Sequence, residues 1–182
     1  MFKDSRISIT EIVRHHFDTF KMKNNKIHSS DKWLFIISPI SVSLFILIMF
    51  GIVADNSITL FATILSIMIG LFLNILILLI STVNGSGALK SPDKTGRNEL
   101  YQETFYNLSF TIIISIFALI SLLVLRCDFF PIDLKIFRIS VNQIVSYIFS
   151  SVFYLLFVHL IFILFLIVYN IFKIFQSEIK NS

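Results

Sequence analysis

ITLFATILSIMIGLFLNILILLISTV, residues 58–83, lies inside a run of 34 residues, 56–89, that holds no charged side chain. About 20 apolar residues at ~1.5 Å each cross the roughly 30 Å hydrocarbon core of a bilayer, so this stretch is long enough to span one. Six of its small or polar residues, Thr59, Thr63, Ser66, Gly70, Asn74 and Ser81, follow one another in steps of 4, 3, 4, 4 and 7. Those steps place them on one face of a helix. Within that face Ser66, Gly70 and Asn74 form a small-xxx-small run, the spacing that lets a neighbouring backbone come close and exchange hydrogen bonds in lipid. The stripe Thr63, Ser66, Gly70 and Asn74 is expected either to form a helix–helix seam inside one subunit or to line or seal a pore.

The rest of the composition agrees with a membrane protein. The chain has 182 residues, 56% of them hydrophobic and 21 of them phenylalanine, far too much apolar surface for one soluble core of this size. The single cysteine, Cys127, excludes an internal disulfide, and the histidines His15, His16, His28 and His159 lack ligand spacing, so no metal or other cofactor is expected. Lys3, Asp4, Arg6 and Glu11 precede any apolar run. A cleavable signal peptide is therefore not expected, and the first span should act as both signal and anchor.

Residues 1–32 carry seven Lys/Arg against four acids and contain Ser8-Ile9-Thr10-Glu11, the pattern of a capping box. Ile9, Ile12, Val13, Phe17 and Phe20 then recur at helical spacing, with Arg14, His15, Asp18 and Lys21 elsewhere on the wheel. The segment reads as an amphipathic helix lying in the headgroup layer, its basic residues facing anionic lipid. Two alternatives remain open: that Arg14, Lys21, Lys23 and Lys26 bind an anionic ligand such as a nucleotide or short oligonucleotide, or that the segment docks on a partner protein.

Four spans are expected, at about 33–53, 58–83, 105–125 and 142–172, forming one transmembrane domain over 33–175 with a short tail at 176–182. Span 1 opens with Trp33 at the interface and carries Pro39, which should kink its first turns. Residues 54–57 are so short a linker that spans 1 and 2 must form a hairpin, and Asn56 or Ser57 can cap span 2. Residues 84–104 hold three glycines, a proline and six charges and read as the one real loop. Gly85-Ser86-Gly87 within it lacks the strand–loop–helix setting and Walker lysine of a phosphate cradle. Span 3 has its own polar line, Asn107, Thr111 and Ser115. Residues 129–133 read as an interfacial turn. Span 4 sits in another uncharged run of 34 residues, 139–172, longer than the hydrocarbon requires, so it should tilt or project. In it, His159 is expected to be neutral and bonded to a neighbouring span rather than to sense protons.

Placing both termini and 84–104 in the cytoplasm puts 12 of the 15 basic residues inside. No Asp, Glu, Lys or Arg lies well within a span, which speaks against ion-coupled transport. No nucleophile motif or paired carboxylate suggests an intramembrane hydrolase, so no enzyme is expected. The fold class expected is therefore all-α: a four-span transmembrane helical bundle with an N-terminal amphipathic helix. A lone bundle of this size is filled by its own side chains, so conduction needs several copies around an axis.

In layout, with its basic amphipathic start over 8–32, its tight hairpin at Asp55 and its lack of enzymatic residues, the chain resembles the small multi-span membrane proteins of bacterial anti-phage defence systems. Resemblance to the Hailong-type membrane effector implies an oligomeric channel of the inner membrane held shut by an oligonucleotide. Resemblance to the Kiwa-type membrane subunit implies a sensor paired with a cytosolic effector. The partners to expect are thus membrane lipid, further copies of the chain, and a cytosolic protein or oligonucleotide ligand. The chain itself should be either a homo-oligomeric effector that makes or gates an ion leak, or a non-conducting anchor or sensor subunit.

Overall fold

The computed structural model describes residues 9–18, 33–85, 94–127, 135–136 and 139–181. It is an all-α, four-span bundle carrying a short amphipathic helix. That helix, α1, is Ile9–Asp18; a π-helical turn, Trp33–Ile37, leads into α2, Ser38–Phe50; then come α3, Asp55–Gly85, α4, Lys94–Leu125, and α5, Val141–Asn181. Four segments, Trp33–Phe50, Asp55–Thr82, Glu99–Leu125 and Val141–Gln176, are long and apolar enough to cross a membrane. The all-α class expected from periodicity therefore holds. One small addition to it is a two-residue antiparallel ladder before α5, β1 Lys135–Ile136 on β2 Ile139–Ser140, in which Lys135 pairs with Ser140 and Ile136 with Ile139.

Helices α4 and α5 form the main antiparallel pair; α3 packs on the outer side of α4 and α2 on that of α5. Leu65, Leu108, Ala118, Phe153, Leu160 and Ile163 are fully shielded and make the centre of the core. Between them, Phe61 of α3 reaches Phe153 (ring centroids 5.1 Å) and Phe157 (5.3 Å) of α5.

Span 1 ends three residues earlier than expected. Gly51 takes φ +66°, a conformation that a side chain would strain, and its N–H closes the helix on the Leu47 carbonyl at 2.8 Å. The turn that follows is pinned to α5, with the Val53 N–H donating to Ser150 Oγ at 3.1 Å; spans 1 and 2 do not pack on each other as the expected hairpin, because α2 lies on α5 and α3 on α4. Neither Asn56 nor Ser57 caps the next helix. It starts at Asp55, and the Ala54 carbonyl accepts from the N–H groups of Ser57 and Ile58, leaving both proposed caps inside the first turn. Pro39 falls in the first turn of α2, directly after the π-helical turn, where a missing N–H costs nothing.

The loop reading of 84–104 needs the larger correction. Helix α4 begins at Lys94, eleven residues before the expected start of its span. Glycine and charge suggested a loop, but Tyr101, Thr104, Asn107 and Leu108 are all buried at helical spacing. The buried face of span 3 simply continues backwards past the membrane edge. Likewise α5 runs on to Asn181, so the tail expected at 176–182 is helical almost to its end. At ~1.5 Å per residue its 41 residues reach about 60 Å, which confirms that span 4 exceeds the bilayer. Arg126 and Glu103, the charges that bracket the apolar part of α4, lie about 34 Å apart on the same rule, matching one hydrocarbon thickness.

Candidate functional site

The polar line expected on span 3 is the most shielded polar feature among the described residues. Thr104, Asn107, Thr111 and Ser115 have no exposed surface at all. The hydroxyls solve their own hydrogen bonding: Thr104 donates to the Leu100 carbonyl, Thr111 to that of Asn107 and Ser115 to that of Thr111, at 2.7, 2.7 and 2.8 Å. Such back-bonding to the preceding turn needs no partner helix. An asparagine amide is not satisfied by one such bond, because it offers two donors and an acceptor, so Asn107 has to look elsewhere.

It finds α1. His16 Nδ1 lies 2.7 Å from Asn107 Oδ1; the amide oxygen can only accept, so the ring nitrogen donates. The imidazole is completely buried, stacked on Phe110 (3.9 Å, 20°) and edge-on to His159 of α5 (6.5 Å). Next to it His15 stacks on Tyr106 at 4.5 Å and stands 3.9 Å from Glu11. Burial is the main reason the His16 pKa falls from 6.5 to about 4; the Asn107 bond opposes that fall and His159 adds to it. His16 is thus neutral at physiological pH. Asn107 Nδ2 is buried with no hydrogen-bond partner among the described residues.

The amphipathic reading of α1 was correct in kind and wrong in its centre. Ile9 and Phe17 of the expected apolar face are 56% and 38% exposed, Ile12 and Val13 are partly covered, and the one buried residue is His16. The helix is docked on α4. His16 lies one turn from Ile12 and Val13, which a helical wheel shows, but polarity conceals the role. Beside α1 an open groove of about 500 Å³ runs between Val13 and Phe17, Phe35 and Pro39, and Phe110 and His159. His159 hydrogen-bonds the Phe35 backbone, so it is tied to span 1, as expected of a histidine in that span.

The span-2 stripe is placed differently from the first of its two readings. Thr63, Ser66, Gly70 and Asn74 are all exposed, as are Thr59 and Ser81, and an added Cβ at Gly70 meets no heavy atom within 4 Å. It makes no seam inside this chain. The buried face of α3 is instead Ile58, Leu65 and Phe72, spaced by sevens, on the other side of the helix. Thr63 and Ser66 back-bond to Thr59 and Ala62, whereas Asn74 makes no side-chain hydrogen bond among the described residues.

Of the expected anion-binding residues, Arg14 is exposed on α1 and shares its polar face with Glu11, His15 and Asp18. Lys21, Lys23 and Lys26 lie outside the described residues. No set of three or more His, Cys, Asp or Glu that could hold a metal occurs among the described residues. No family model matches this chain, and neither a curated protein nor a solved structure is similar to it.

Proposed function

We propose that this protein is a homo-oligomeric effector of the bacterial inner membrane that forms or gates an ion-leak pathway under the control of a cytosolic ligand or partner, in the manner of the anti-phage membrane proteins its layout resembles. The outward stripe of α3 carries the reading. Asn74 lies ~28 Å along α3 from Asp55, still within the apolar part of the helix, and presents its amide to the outside of the subunit. A bare amide in hydrocarbon costs several kcal/mol, so it needs water or another copy beside it. Either answer brings polar faces together between subunits, which is how a bundle with a filled centre can build a pathway.

Liposomes holding the purified protein should carry single-channel current, and Asn74→Leu should reduce both current and oligomer population. Interhelical bonds in membranes are worth ~0.6–2 kcal/mol, so assembly should weaken about 3- to 30-fold. Gly70→Leu, which fills the close-approach site, should weaken assembly more. An assembled wild-type protein that never conducts would favour the second reading, a non-conducting anchor or sensor. That reading draws on α5, whose last turns extend past the apolar window and offer a helical surface to a cytosolic protein.

In this reading both termini are cytoplasmic, since 12 of 15 basic residues then lie inside. Cys127, exposed just after α4, should react with a membrane-impermeant maleimide added to spheroplasts. A cysteine introduced within 86–93 should react only after lysis; the reverse pattern inverts the topology.

A further inference from the structure

We propose that α1 is a releasable latch: His16, seated between Asn107 and Phe110, holds the N-terminal helix on the spans, and its withdrawal uncovers Asn107 and widens the groove beside it. For its consequence this rests on the reading of the N-terminal segment as the control element; the docking itself stands apart from that reading.

Three observations carry it. The described helix, Ile9–Asp18, rests chiefly on a single span, α4, so few contacts hold it in place. The seat is narrow, because His16 is the one α1 side chain fully enclosed, while Ile9 and Phe17 keep 56% and 38% of their surface exposed. And the polar contact is specific: a 2.7 Å bond to an amide whose neighbours on the same face, Thr111 and Ser115, are already satisfied by their own helix. Asn107 sits about 6 Å, one helical turn, inside the membrane edge marked by Glu103. An asparagine there gains from a mobile partner that a hydroxyl would not need.

Protonation supplies a way to release the latch. The ring is packed against Phe110 and faces His159 of α5. Its own helix places His15 and Glu11 beside Tyr106 of α4, and the stretch of span 1 that lines the adjoining groove, Phe35, Ile36, Pro39 and Ile40, has no titratable group. The sign follows from linkage: the docked ring binds its proton with a pKa of about 4 and the released ring with one near 6.5. Docking is therefore independent of pH above 6.5 and weakens as pH falls from there toward 4, where both states are protonated. With those two values the docked-to-released ratio drops about 30-fold between pH 7.5 and pH 5.

The test is a spin-label distance in lipid nanodiscs, using full-length protein with Cys127→Ser and labels at Glu11→Cys and Leu123→Cys, both exposed positions. At pH 7.5 the distance distribution should be narrow; at pH 5 a broad second population should grow in. His16→Gln keeps a donor for Asn107 but does not titrate, so it should stay narrow at both values. His159→Gln should still respond to acid, and Asn107→Leu should be broad throughout. A wild-type distribution unchanged at pH 5 overturns the latch. So does an acid response kept by His16→Gln or lost in His159→Gln, which would place the sensor elsewhere, or an Asn107→Leu distribution as narrow as wild type at pH 7.5. Current recorded from the same preparations separates the two ideas: α1 release without current at either pH defeats the leak reading and leaves the latch standing.

Discussion

Ala118→Leu should destabilise the bundle at or above the upper end of the ~1–3 kcal/mol usual for overpacking a core. Ala118 has no exposed surface and lies in the core cluster with Leu65, Leu122 and Phe153. In lipid no hydrophobic drive pulls helices together, because acyl chains are as apolar as leucine; close packing holds them, and small residues permit it. Three added carbons at Ala118 force α4 away from its neighbours, and the helix backbone cannot locally yield. SDS titration monitored by far-UV circular dichroism should show the variant unfolding at clearly lower detergent fraction. Gly70→Leu is the control. It adds a larger side chain to a site where nothing lies within 4 Å, so its unfolding curve should overlay wild type even while its oligomer population falls. If Gly70→Leu unfolds as early as Ala118→Leu, the outward face of α3 is wrongly assigned.

That contrast also shows what could be read from the residues. Existence and order of the four spans followed from uncharged runs and the charges between them, because length and apolarity are what a bilayer selects. The polar line on span 3 was legible for the same reason as the stripe on span 2, by steps of three and four. Which of the two faced inward was not. The stripes have similar composition, and the choice depends on what the opposite face offers. On α3 that face is Ile58, Leu65 and Phe72, a set of large side chains that packs better than Thr63, Ser66 and Gly70. On α4 the polar line is interleaved with Leu108, Ile114, Ala118 and Leu122, so it is buried along with them.

His16 was missed on a related ground. A histidine among Ile12, Val13 and Phe17 looks like an interruption of an apolar face until a buried amide 91 residues away gives it a partner. Tertiary pairings of single polar groups leave no periodic trace. The start of α4 at Lys94 was misjudged because composition was weighed over period: Gly96 and the flanking charges read as loop, yet the buried spacing through Tyr101 and Thr104 already belonged to the helix.

Phe153→Ala should lower stability by about 3 kcal/mol, the low end of the ~3–5 measured for burying and then deleting a phenyl ring, since in lipid the transfer part of that cost is small and the void remains. The ring is fully enclosed and is contacted by Phe61 at 5.1 Å, Phe157 at 5.6 Å and Tyr154 at 5.7 Å. It matters beyond its size because α3 and α5 do not approach closely through their backbones; both flank α4, and Phe61 is the side chain that crosses between them. Removing Phe153 leaves Phe61 without the surface it tilts against, so α3 loses its second support. Phe61→Ala should cost less, since that ring is only partly covered, and the double variant should fall short of the sum by the ~0.5–1.5 kcal/mol that such aromatic pairs are worth beyond their contact area. Val152→Ala, one residue along and 39% exposed, supplies the comparison at an open site. Should it cost as much as Phe153→Ala in the same SDS titration, α5 would have to be rotated by about 100° from the face described, the turn of one residue on a helix, and the aromatic bridge between α3 and α5 would not exist.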